Sequence, residues 1–531
     1  MDQIDTTQLA EIKYKSLIDY LGKSTESYPD KPAFIFKDQP LSYRQFSAHV
    51  DSCARVLFSL GLQKGKTVAL ILPNILELSI LYFALLKNAV RILPVNIMLN
   101  ADDLSQMLQE SQTDVVFVWH QFTTLLASAT KDSSSSPKTF IIDQAGSADN
   151  LNFYQRFSPG SVAGAVRYPA LKKDDDALVF YTAGTSEATK GAVFTHENLS
   201  CTLRSLWETL LISDMDMVMA VLPLFHPFGQ LVTMNVPLAA GATIVLHSKL
   251  DIDQIIDSIA KHRITYLLAV PGVFDEIARR SPSPEALKSV RVCLASGALL
   301  KDGTYDLFLE KYNLTILEGY GVTECSPLVS CSRIYRERRR GSVGLPLPDI
   351  ELAILDEKYQ PQSPMGIGEI GLRSKSLLRA YLGAESALDA SIKNGWFLTG
   401  DMGLMDVDGY LYLIDRKADI ILKDGFHISP IDVEKVLTSH ANVQLAAVIA
   451  VPNNKHGEII RAYVVPTQND TLNASELKNF CQTQLPPYKC PDEIDIVQDL
   501  PRTATGKVLK RELRKRLNET NESTNGTINR T

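Results

Sequence analysis

The densest concentration of anion-binding chemistry in this 531-residue chain lies between Tyr181 and Asn198, YTAGTSEATKGAVFTHEN. An apolar strand runs straight into small and hydroxyl residues, then a lysine and a glycine. Small side chains let backbone N–H groups approach a phosphate, hydroxyls donate hydrogen bonds, and Lys190 supplies a mobile positive charge. The spacing is not GxxxxGK(S/T), so a P-loop is excluded; a plain Ser/Thr/Gly turn is the alternative for this segment alone. Four further segments carry complementary chemistry. Gly319 to Pro327 (GYGVTECSP) presents Thr323 and Glu324 on a tight glycine turn, a hydroxyl and a carboxylate suited to Mg2+ and its phosphate ligands. Thr399 to Gly403 (TGDMG) offers Asp401 as an acceptor for vicinal hydroxyls such as those of a ribose. Asp415 to Glu434 reads DRKADIILKDGFHISPIDVE, and Pro501 to Lys510 reads PRTATGKVLK, with Lys507 following a glycine in a turn.

Such side chains need a scaffold, and the hydrophobic pattern supplies one. Tyr43 to Leu60 repeats apolar residues at helical spacing, followed by Gly61 and the short apolar run TVALILP. Ile75 to Leu86 reads as a helix and Val90 to Val95 as a buried strand. Further strands are expected over 114–119, 139–143, 177–182, 218–222, 243–246, 266–270 and 290–295. This alternation predicts an α/β fold, with mostly parallel sheets covered on both faces. From about Gly341, short strands separated by Gly and Pro predict a β-barrel-like subdomain reaching Asp415. A charged connector, Arg416 to Asp419, leads into a second, small α+β pattern. The polar residues 518–531 are expected to form a disordered tail.

Composition narrows the field. At roughly 150 residues per domain the length corresponds to three or four structural units. The balance of 54 basic against 61 acidic residues, net −7, argues against a nucleic-acid binder held by a broad basic face. Seven cysteines are odd in number and scattered, with no CxxC, which argues against a disulfide framework or a zinc ribbon and fits a reducing compartment. The N-terminus is polar and acidic where a signal peptide would be basic and then apolar. Thr67 to Ala89, the most apolar stretch, is interrupted by Asn74, Glu77 and Lys87, so no transmembrane segment is expected. A cytoplasmic enzyme fits these bounds.

In order and separation the five motifs resemble the adenylate-forming superfamily of acyl-CoA synthetases, carrier-protein adenylation domains and luciferases. The likeness runs from LSYRQF at Leu41 to Lys507. It implies two half-reactions. A carboxylate attacks the α-phosphate of Mg·ATP, releasing pyrophosphate and leaving an acyl-adenylate; a thiol of CoA or of a holo carrier protein then displaces AMP. By the resemblance Thr182, Gly184, Thr185, Ser186, Lys190 and Gly191 form the phosphate loop. Thr323 and Glu324 hold phosphate and magnesium, Tyr320 stacks near the adenine, Asp401 and Arg416 grip the ribose, and Lys507 bridges the carboxylate and α-phosphate oxygens. It further implies an N-terminal adenylation domain over 1–415, a hinge at 416–418 centred on Ala418, and a mobile C-terminal domain over 419–517. The family usually has Asp or Lys at the hinge position; alanine also absorbs a backbone dihedral change.

The phosphate loop departs from the family pattern TSGTTGxPKG. Ala183 replaces Ser, Glu187 replaces the second Gly and Thr189 replaces Pro. Like charges about 4 Å apart at an effective dielectric of about 20 repel by roughly 4 kcal/mol, so Glu187 must turn away from a triphosphate or weaken its binding. A weak or inactive ligand-binding relative is the corresponding alternative. Val221 to Leu231 (VLPLFHPFGQL) matches the segment that begins the family's acid pocket, expected to include His226, Phe228, Gly229, Gly297 and Gly321. Amino-acid-activating members place an Asp near here; this segment has none, which favours an apolar acid, since a buried ammonium without a partner is costly. SGALL, from Ser296 to Leu300, and GYGVTECSP resemble medium- and long-chain fatty acyl-CoA ligases, which implies an acid of medium or long chain. A free-standing ligase loading a small, amino or imino acid such as proline onto a carrier protein is the other reading. Arg333, Arg336, Arg338, Arg339 and Arg340 are expected to decorate a solvated loop, the alternative being a surface for CoA phosphates or an acidic carrier helix.

Overall fold

Apolar runs of four to six residues bounded by turn formers are too short for helices, and in the computed structural model they become buried strands. The structure describes residues 16–517 apart from 132–135, 144–152, 154–156, 158–165, 183–189, 299, 326, 454, 468–471 and 504–505. The described chain groups into two units, 16–351 with 373–395, and 352–372 with 396–517.

The first unit holds two sheets. The seven-stranded sheet runs, edge to edge, through Ala380–Tyr381, Gly191–Thr195, Asp176–Tyr181, Arg91–Pro94, Thr67–Ile71, Val115–Trp119 and Lys138–Ile142. Pairing is parallel from Asp176–Tyr181 outward to Lys138–Ile142 and antiparallel at the other edge. The nine-stranded sheet places Ile316–Tyr320 beside Val292–Ser296 in parallel, and Ser330–Cys331 returns against it antiparallel. Helices Tyr43–Ser59 and His196–Leu210 each start with a capping box, Ser42 with Gln45 and Thr195 with Asn198, so two backbone N–H groups are satisfied at each N-terminus. Leu76–Lys87 is buried nearly all round, as its uniformly apolar sequence requires.

The second unit contains a curled half-barrel-like sheet in which Ile367–Ser374, Trp396–Met405 and Leu411–Arg416 pair antiparallel. It also contains an α+β layer built on Gly457–Pro466, flanked by Val443–Asn453 antiparallel and Glu493–Ile496 parallel. Helices Pro430–Ser439 and Ala474–Gln484 cover that layer through a core of Val433, Leu437, Val448, Ile460 and Leu477. Buried Asp415 accepts from the backbone N–H of Arg416 and Ile431 and from the Ser429 hydroxyl, so it ties the end of the half-barrel to the start of helix Pro430–Ser439. Among the described residues no helix is long and apolar enough to cross a membrane. The expected tail, 518–531, lies outside the described residues.

Candidate active site

The expected phosphate-loop segment is flanked by a hairpin. Asp176–Tyr181 and Gly191–Thr195 pair antiparallel up to Tyr181 and Gly191, and the next bond, Thr182 N–H to the Lys190 carbonyl at 2.9 Å, closes the base. Gly191 is needed for packing: a Cβ there would lie 2.9 Å from Leu382 Cδ1 and 3.1 Å from the Tyr181 ring. Gly184, Thr185 and Ser186, together with Ala183, Glu187 and Thr189, lie outside the described residues.

On the same unit, the strand Ile316–Tyr320 delivers Tyr320 to a turn that carries Thr323 and Glu324 on a single 3-10 turn. The Tyr320 carbonyl accepts from Val329 N–H at 2.8 Å, and Cys325 N–H reaches the Val322 carbonyl at 3.0 Å. Glu324 Oε1 accepts from the Tyr381 hydroxyl at 3.2 Å, and the Glu324 carbonyl accepts from Leu378 N–H at 2.8 Å. Lys190 Nζ lies 5.3 Å from the Tyr381 ring centroid, within cation–π range. Among the described residues no group of three or more His, Cys, Asp or Glu side chains converges as a metal cage. A single carboxylate and a hydroxyl fit a magnesium ion that arrives with the nucleotide, because Mg2+ commonly takes one or two carboxylates plus substrate phosphates.

The remaining predicted nucleotide residues gather on the second unit. Asp401 and Arg416 face each other across paired strands, with Arg416 Nε 3.3 Å from Asp401 Oδ1. The tight approach begins at Gly400, whose φ of +75° is open chiefly to glycine and whose carbonyl accepts from Lys417 N–H at 2.9 Å. Lys507 ends a turn closed by Thr503 N–H to the Lys507 carbonyl at 2.8 Å, with Gly506 at φ +82°. The surrounding protein and then Arg416 hold the Lys507 ammonium below the usual lysine range, while Asp401 and Asp419 pull it back up. Part of the Lys507 side chain remains open to solvent. Ala418 is bracketed by two ion pairs, Lys417 with Glu369 at 2.8 Å and Asp419 with Arg514.

The predicted acid-pocket segment is unusual. Phe228–Asn235 forms a π-helix, and a Cβ on Gly229 would sit 2.2 Å from the Pro223 carbonyl oxygen. Asn74 staples the approach, donating to the Leu222 carbonyl and accepting from Leu224 N–H, both at 2.8 Å. His226 Nδ1 accepts from Phe228 N–H at 3.2 Å, and burial pushes the imidazole pKa down to about 4, so the ring is neutral near pH 7. Gly297 follows strand Val292–Ser296 at φ +91° with only Val270 near its Cβ direction, at 3.9 Å. Gly321 is far tighter: a Cβ would meet the Pro327 carbonyl oxygen at 1.7 Å.

The arginine cluster is only partly a solvated loop: Arg336 and Arg340 are exposed, whereas Arg333 and Arg338 turn inward. Arg333 donates to Thr209 Oγ1 at 3.2 Å and to the Pro346 carbonyl at 2.5 Å. Arg338 is 4% exposed, bonds Glu318 Oε2 at 3.0 Å and lies 3.8 Å over the Tyr305 ring, while Arg340 pairs with Asp306. Tyr381 and Asp415 were not singled out by motif chemistry. Tyr381 carries no motif signal, since its place comes from pairing with Ala192, 189 residues away in sequence.

Family and fold comparisons identify an acid-activating, adenylate-forming ligase. The chain belongs to the AMP-binding enzyme family, matched over residues 21–382, and its residues 432–507 match the AMP-binding enzyme C-terminal domain. It is 29% identical over 540 aligned residues to a long-chain-fatty-acid–CoA ligase of Escherichia coli O157:H7, covering 96% of each chain. Its fold is similar to ATP-bound MatB from Rhodopseudomonas palustris, with a TM-score of 0.86 at 26% identity over 94% of this chain and 98% of that one. It is also similar to o-succinylbenzoate CoA synthetase (MenE) of Bacillus subtilis holding its acyl-adenylate, with a TM-score of 0.84 at 27% identity over 94% and 98%.

Proposed function

We propose that this ligase activates an apolar carboxylic acid of medium or long chain with Mg·ATP and passes the acyl group to the thiol of CoA. The observation that carries the substrate class is the pocket segment 221–231: it has no carboxylate, and its buried His226 is neutral, so nothing there would hold an ammonium. The similarity to the long-chain-fatty-acid–CoA ligase supports the same choice. In this reading Thr182, Lys190 and Gly191, with Gly184, Thr185 and Ser186, receive the triphosphate, and Tyr320 lies against the adenine. Thr323 and Glu324 would hold magnesium, which when bound neutralises phosphate charge. Asp401 accepts the ribose hydroxyls with Arg416 beside it. Both reactants of the first step are anions, so the ammonium of Lys507 supplies the positive charge the transition state needs. His226, Phe228, Gly229, Gly297 and Gly321 shape the acid pocket.

Residues 419–517 act as a mobile domain turning about Ala418, with 1–415 as the adenylation domain. Ala418→Pro, which fixes φ at that position, should preserve pyrophosphate exchange while slowing thioester formation. Equal loss of both would remove the hinge from this account. Buried free thiols at all seven cysteines suit a reducing, cytoplasmic setting. ATP–pyrophosphate exchange across fatty, aromatic and amino acids tests the substrate class, with the strongest exchange expected from fatty acids. Repeating the reaction with CoA and with a holo carrier protein tests the acceptor; exchange confined to an amino or imino acid, or transfer only to the carrier, would reverse the assignment.

A further inference from the structure

Tyr381 lies outside every motif, yet its strand is stitched to both halves of the phosphate site. Ala380–Tyr381 pairs antiparallel with Val193 and Ala192 of the phosphate hairpin. On either side, Arg379 N–H bonds the Val193 carbonyl and Leu382 N–H the Gly191 carbonyl, both at 2.8 Å. One residue earlier, Leu378 N–H bonds the Glu324 carbonyl at 2.8 Å. The side chain continues the same bridge. It is 5% exposed, its hydroxyl reaches Glu324 Oε1 at 3.2 Å, and its ring lies 5.3 Å from Lys190 Nζ. In the contact with Glu324 the phenolic hydroxyl donates and the carboxylate oxygen accepts.

We propose that Tyr381 is a positioning residue for the nucleotide site: its hydroxyl fixes the Glu324 carboxylate for magnesium, and its ring holds the Lys190 ammonium, so both charges are set before ATP arrives. This rests on the roles given above to Glu324 and Lys190. Without the hydroxyl, Glu324 loses one hydrogen bond that orients its carboxylate. Without the ring, Lys190 loses its resting place as well.

Calorimetric titration of ATP into the full-length protein, with and without Mg2+, separates the two functions. Tyr381→Phe should weaken Mg·ATP binding about tenfold, the scale of one charge-assisted hydrogen bond, and leave metal-free ATP binding unchanged. Tyr381→Leu should weaken both. Glu324→Gln should abolish most of the magnesium-dependent gain, and in that background Tyr381→Phe should have no further effect. Melting curves of the unliganded proteins check that the near-isosteric Phe variant folds like the parent. Parent-like Mg·ATP affinity in Tyr381→Phe, beside a weakened Glu324→Gln, overturns the role of Tyr381 alone. An unchanged Glu324→Gln overturns the placement of magnesium at Glu324 and the proposal with it.

Discussion

A methyl group on Gly321 would have to occupy space 1.7 Å from the Pro327 carbonyl oxygen, so the turn carrying Thr323 and Glu324 exists only because residue 321 has no side chain. Gly321→Ala should therefore destabilise the protein by about 1–3 kcal/mol and raise KM for ATP, measurable by urea unfolding and by exchange kinetics. Lys507→Ala should lower the adenylation rate by about 10²–10³, the scale for one preorganised donor, and pyrophosphate exchange reads this directly. Glu187 is legible only as a departure: a carboxylate where the family has glycine. Glu187→Gly should speed adenylation or lower KM for ATP, and unchanged kinetics would show that its charge never meets the triphosphate. Motif chemistry reaches such residues because the side chain itself is the signal.

At the level of elements, the segment returning from the carboxylate turn is pinned by charge as well as by strand pairing. Arg338, stacked on Tyr305 and bonded to Glu318, fastens residues 330–346 to the strand that delivers Tyr320. Removing one member of a buried pair strands the other, so Arg338→Ala should cost about 3–5 kcal/mol, whereas replacing both Arg338 and Glu318 with Leu should recover part of that loss in a urea midpoint series. None of this is visible in the sequence, where five arginines in eight residues read as a surface run. The strands fared better. The expected 266–270 appears as Tyr266–Ala269 and the expected 243–246 appears unchanged, because a short apolar run buried on both faces has few other places to go. Strand Ile316–Tyr320 and hairpin Pro32–Phe36 with Gln39–Ser42 escaped pattern reading. Neighbour order and the pairing that brings Tyr381 to Glu324 escaped as well, since long-range pairing leaves no local periodicity.

Across the whole molecule, buried histidines set an acid limit. His196, 1% exposed at the start of helix His196–Leu210, has no hydrogen-bond partner on either ring nitrogen among the described residues. Burial pushes its pKa down to about 4, with Asp175 and Asp19 acting weakly the other way. An unfolded histidine titrates near 6.5, so between about pH 6.5 and pH 4 the unfolded chain binds a proton that the folded chain does not. Stability is full above about pH 6.5 and falls as the pH drops, by about 3 kcal/mol when the loss is complete near pH 4. Urea midpoints measured between pH 7 and 4 should fall on a shallower slope in His196→Leu than in the parent; parallel slopes would assign the acid limit elsewhere. The seven free cysteines have a practical consequence of a different kind. All are buried and burial raises the pKa of each thiol, so little thiolate is available to alkylating reagents. The native chain thus offers a nearly silent background for maleimide dyes. A single surface cysteine introduced into residues 1–415 and another into 419–517 would take up fluorophores selectively, and energy transfer between them would test the proposed turn about Ala418 without first stripping the protein of its own sulfur.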